Sequence, residues 1–141
     1  MKAGLPTVLS LEGIDAHARA VELELRGVRP TRASFEIRVF FEQADARAAT
    51  PTAGNPRYAG SIFMFGRGDA AIPRPASAPL VAGAADPGAP MTLSVDVTDA
   101  LRSIPRSQRS VRVTLVAVDP KGAAIAAPEI ELDAAALVAT G

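Results

Sequence analysis

The chain has 141 residues, with 15 acidic and 15 basic groups, one histidine, no cysteine and no tryptophan. That length suits one domain with a real core, burying about 68% of the surface its unfolded form would expose. A formal net charge of zero gives no field to steer phosphate backbones or anionic lipid heads, so neither nucleic acid nor membrane is an expected partner, and the missing cysteines remove disulfides and thiolate metal sites together.

The first fifteen residues, MKAGLPTVLSLEGID, hold a mildly apolar run that Pro6 interrupts and Glu12 and Asp15 follow, with no small-x-small cleavage site. They read as mature chain, and a cytoplasmic location is expected. No window approaches 18 apolar residues, so no transmembrane helix is expected.

From there the dominant period is two. AVELEL sets Val21, Leu23 and Leu25 against Glu22 and Glu24, the alternation of a strand with one wet face. Gly27-Val28-Arg29-Pro30 then reads as a turn. SFEIRVFF places Phe35, Ile37, Val39 and Phe41 inward against Ser34, Glu36 and Arg38, and Asn55-Pro56 marks the next turn. YAGSIFMFG departs from the alternation, because Ile62, Phe63, Met64 and Phe65 are apolar in succession; this predicts a central strand covered on both faces.

The 69–90 stretch is rich in proline and alanine, which denies it ladder hydrogen bonds and predicts a long irregular loop. TLSVDV follows with Leu93, Val95 and Val97 on one side, then a short helix over Asp99 to Ile104, capped by Thr98 or Asp99 and stopped by Pro105. SVRVTLVAV sets Val111, Val113, Leu115 and Ala117 inward, Asp119-Pro120-Lys121-Gly122 reads as a hairpin turn, and PEIELD adds Ile130 and Leu132. The fold class is therefore all-β: a single antiparallel β-sandwich over residues 1–141, of about six to seven strands with one short helix. Phe35, Ile37, Val39, Ile62, Val95, Val113 and Leu115 are its expected core.

Catalytic signatures are missing. His17 lies in a polar stretch and reads as a solvated surface residue, and one imidazole cannot supply the converging ligands of a zinc or copper site. Gly66-Arg67-Gly68 lacks the third glycine and the helix of a nucleotide motif, and Arg67-Gly68-Asp69 reads as an exposed turn matching the adhesion tripeptide by chance. With one tyrosine and no tryptophan there is no platform for sugar. The chain is expected to be no enzyme, with no catalytic residue, cofactor or bound metal.

The order of segments, LELRGVRPTRASFEIRVFFEQADA, NPRYAGSIFMFGRG, LSVDVTDALRSI, VRVTLVAVD and EIELD, resembles the carboxy-terminal β-sandwich of the tyrosinase, polyphenol oxidase and molluscan haemocyanin group. The resemblance runs from about Val21 to Val138. Its most specific parts are Phe35-x-Ile-x-Val-Phe and Tyr58-Ala59-Gly60-Ser61 with the apolar strand ending at Gly66. In that group the sandwich packs over the copper entrance of a helical bundle bearing six histidines, and these 141 residues hold none of that bundle. The resemblance implies a non-catalytic cap, accessory subunit or interaction domain, with a His-rich type-3 copper oxidase subunit as its protein partner. The Ala/Pro-rich stretch after the Phe-Gly segment stands where bacterial relatives often carry a polar, His-bearing loop. Family position further implies that Leu25, Arg26, Gly27, Val28 and Arg29 face the partner, although the plain reading of those residues is a turn and the alternation puts Leu25 inward. The alternative reading is a self-associating structural or binding sandwich with no copper-enzyme partner, a homo-oligomer that buries Phe63 or Phe65.

Overall fold

The structure, a computed structural model, describes residues 7–15, 18–29, 34–64, 90–105, 107–123 and 132–140. His17, Phe65, Arg67-Gly68-Asp69, Ile130 and, apart from Pro90, the expected 69–90 loop lie outside the described residues. Among the described residues, seven strands form two antiparallel sheets. Strands β1 (Thr7–Ser10), β6 (Ser110–Val118), β3 (Phe35–Phe41) and β4 (Tyr58–Met64) pair in that order, and β5 (Met91–Asp96), β2 (Ala20–Val28) and β7 (Ala134–Thr140) form the second sheet. A short helix, α1 (Thr98–Arg102), the one helix among the described residues, lies between β5 and β6 in the chain.

The inward side chains meet in one apolar layer. Leu23, Leu25 and Val28 of β2 join Phe35, Ile37, Val39 and Phe41 of β3, Ile62 and Met64 of β4, and Val111, Val113 and Leu115 of β6, all buried. Six of the seven expected core residues are buried there, namely Phe35, Ile37, Val39, Ile62, Val113 and Leu115. Val95 is the exception. It is only partly buried, because β5 is an edge strand whose inner face is covered on one side, and Val97 just beyond it takes the buried place.

The four-stranded sheet is also covered on its outer face. Phe40, Val116 and Val118 point away from the central layer and are buried with Ala46, with Ala48 and Tyr58 packed beside them. The chain between β3 and β4 provides this cover. The side chain of Asn55 holds its turn by donating to the Pro51 carbonyl at 2.8 Å and the Gln43 carboxamide oxygen at 3.1 Å, while its oxygen accepts the Arg57 N–H at 3.0 Å. Thr114 is buried opposite Phe40, and among the described residues its hydroxyl has no hydrogen-bond partner.

Several expectations are corrected. The strand over Tyr58–Met64 is an edge, not a central strand, and Phe63 is 68% exposed. The expected turn over Gly27-Val28-Arg29-Pro30 is instead the end of β2, which runs to Val28 through a bulge between Leu25 and Val28. Thr98 and Asp99 fall inside α1 rather than capping it by side chain; Asp96, two residues earlier, accepts the Thr98 N–H at 2.8 Å and the Thr98 hydroxyl. Two strands, β1 and β7, were not expected, and of PEIELD the described part is a buried Leu132 and a bend at Asp133. A turn does form at Asp119, whose carboxylate accepts the N–H groups of Lys121 and Ala123, at 2.8 and 2.9 Å, with Gly122 at φ +88°, but among the described residues it joins no hairpin, because β6 pairs with β1 and β3 and the next described strand, β7, belongs to the other sheet.

Candidate interaction surface

At the end of the sandwich where β2 and β4 finish and β5 and β7 begin, the expected partner-facing residues separate into two groups. Leu25 and Val28 are fully buried, opposite Leu93 and Met91 of β5. Their apolar side chains belong to the core, so they are corrected from contact residues to structural ones. Gly27 makes the bulge possible. Its φ is +69°, and a Cβ there would run into the Asp133 carboxylate. Arg29 reaches back over this kink, donating to the Gly27 carbonyl at 2.7 Å and to Asp133 Oδ1 at 3.0 Å, while Asp133 N–H donates to the Arg26 carbonyl at 2.8 Å. Arg26 is exposed and lies 3.6 Å from the Glu24 carboxylate. Of the five residues, only Arg26 and Arg29 present a surface.

The Tyr58-Ala59-Gly60-Ser61 motif has a packing reason at each position. Tyr58 stands 5.6 Å from Phe40 ring to ring on the outer face, and its hydroxyl donates to the Ser61 hydroxyl oxygen at 2.9 Å. Ala59 is the extra residue where the β3–β4 register shifts between Val39 and Phe40. Gly60 has φ +145° and abuts Val95 of the other sheet. Further along β4, Phe63 sits opposite Glu36, whose carboxylate accepts Arg38 Nε at 2.9 Å, and Arg38 also donates to the Ala48 carbonyl at 3.2 Å. Phe63 is thus an exposed aromatic ring on β4, the outermost strand of its sheet among the described residues, beside a half-buried ion pair.

The opposite end of the sandwich holds a hollow that sequence reasoning missed. A groove of about 540 Å³ beside α1 is lined by Leu11, Ile14, Ala18 and Leu101 together with Asp15, Arg102 and Gln108. Gln108 is fixed by donating to the Glu42 carboxylate and the Ser110 carbonyl, each at 2.7 Å. Glu42 adopts φ +57° and also accepts the Arg112 N–H at 2.9 Å on the same oxygen. A second hollow of about 460 Å³ on the other side of α1 combines Arg19 and Arg102 with Asp96 and Asp99. The Thr98 hydroxyl and then the Thr98 N–H, both donating to Asp96, hold that carboxyl below its usual range. No sequence spacing signals these hollows, because their walls come from residues nearly a hundred positions apart.

Among the described residues no group of three or more histidine, cysteine, aspartate or glutamate side chains stands close enough to hold a metal ion, and no helix is long and apolar enough to cross a membrane. The chain matches no protein-family model and no curated protein.

Proposed function

We propose that this chain is a non-catalytic cap or accessory domain for a tyrosinase-like type-3 copper oxidase, covering the entrance to a copper site carried on another polypeptide segment. The observation that carries the reading is the exposed Phe63 on β4, an edge strand among the described residues that also holds the Tyr58-Ala59-Gly60-Ser61 motif of the resemblance. An exposed aromatic ring on an unpaired strand edge is a usual element of a protein contact. A cap of this kind acts by occupying the space a phenol needs, leaving the copper chemistry untouched.

The reading is tested by reconstitution. The purified chain is titrated onto a copper-loaded tyrosinase catalytic domain while catechol oxidation is followed. Inhibition that saturates at one equivalent and is relieved at least tenfold by Phe63→Ser supports the cap. An oxidase whose rate is unchanged at saturating chain rejects it.

A further inference from the structure

We infer that β7 is a self-recognition edge, through which two copies of this chain join their three-stranded sheets into one continuous six-stranded sheet. The inference does not rest on the cap reading, which uses β4.

A two-sheet sandwich has four edge strands, which among the described residues are β1, β4, β5 and β7. Unpaired edges template association unless something blunts them, and short length, charge, proline and bulges are the usual devices. Three of the four edges are blunted. β1 is four residues long. β4 is kinked at Ala59 and Gly60. β5 carries Thr92, Ser94 and Asp96 outward, and its ladder with β2 is broken by the bulge at Arg26 and Gly27.

β7 has none of these. Its sequence, Ala134-Ala135-Ala136-Leu137-Val138-Ala139-Thr140, contains no charge, proline or glycine. Its register with β2 is unbroken from Ala20↔Thr140 to Arg26↔Ala134, so the strand is straight along its whole length. Among the described residues no strand pairs with its other side. A straight, uncharged, seven-residue edge is the geometry that accepts another strand.

The occupant is a second copy because the strand is complementary to itself. A two-fold axis needs each residue to tolerate its mirror partner along the strand. With the axis near Leu137, Ala136 meets Val138 of the second copy, Ala135 meets Ala139, and Ala134 meets Thr140, all small and neutral. No like charges face each other across such a junction. The chain's net charge of zero adds no long-range repulsion between copies. Ala135 and Leu137, which flank the core beside Leu25 and Leu23, would extend the apolar layer across the junction.

Sedimentation velocity on the full chain, over about a hundredfold dilution series into the low micromolar range, reads the result. The expected outcome is a mass that doubles with concentration. Ala136→Lys and Val138→Glu, each placed on the outer face beside Glu24 and Glu22, should each hold the chain at monomer mass with an unchanged circular dichroism spectrum. Phe63→Ser, on the other sheet, should leave the doubling intact. A wild-type chain that stays monomeric throughout, or a doubling that survives both β7 substitutions or disappears with Phe63→Ser, overturns the inference.

Discussion

Gly60 of β4 lies so close to Val95 of β5 that a Cβ on the glycine would stand 2.9 Å from the valine Cγ2. The two edge strands belong to different sheets, and this contact brings the sheets together along one side of the sandwich. The backbone there, at φ +145°, is one that side chains other than glycine rarely adopt. Gly60→Ala should therefore cost about 2 kcal/mol or more, backbone strain and the clash with Val95 acting together. Urea denaturation measures it, and Val95→Ala in the same chain should recover part of the loss if the clash contributes.

The orphan hydroxyl of Thr114 predicts the opposite sign. A buried hydroxyl without a partner costs about 1–3 kcal/mol of desolvation. Thr114→Val keeps the shape and removes the penalty, so the variant should unfold at higher urea by about 1 kcal/mol. Equal or lower stability would mean that the hydroxyl is satisfied in solution, by a water for instance.

At the bulge, two neighbouring substitutions should separate. Leu25→Ala opens a cavity in the central layer and should cost about 2–5 kcal/mol. Arg29→Ala removes an exposed ion pair with Asp133 and should fall within about 0.5 kcal/mol. Thermal melts of the two variants, read side by side, check whether Leu25 is structural and Arg29 available for contact.

Acidification gives a further expectation. Hydrogen bonds from Thr98 favour ionised Asp96, so its pKa is lower in the fold than the ordinary 3.8. Its contribution to stability is complete above that value and is lost as pH falls below it through the folded pKa. The Asp96→Asn variant should accordingly show a shallower loss of stability than wild type below about pH 4, and the same slope above pH 5. Urea midpoints collected across that range decide it.

Period-two alternation was enough to place β2, β3, β5 and β6, because each alternates over at least part of its length between the shared core and polar or charged residues. It failed where a strand's environment is decided at long range. Ile62-Phe63-Met64 looks two-sidedly buried in sequence, yet Phe63 is exposed because β4 has a neighbour on one side only. Val116 and Val118 are buried on the supposedly wet face because residues 42–57 fold back over it. β7 was overlooked because an alanine-rich run carries no alternation at all, and Val28 was read as turn because a bulge looks like a turn until its partner strand is known. The surface candidates suffered most: of Leu25 to Arg29, only the two arginines face outward.

The chain order of the sandwich has a kinetic consequence. Of the six links between consecutive strands, only β3 to β4 joins neighbours within a sheet; the others cross from one sheet to the other. β1 must wait for β6, with Thr7 opposite Val113, and β2 waits for both β5 and β7. Such a contact map closes long loops before any sheet repays their entropy, which places refolding in the millisecond-to-second range typical of β-sandwiches. During synthesis, the β3–β4 pairing is the one sheet pairing available early, and β2 emerges with both edges bare, one until Met91–Asp96 has been made and the other until Ala134–Thr140 has. A chain halted before that point should be a poor folder and a good substrate for chaperones.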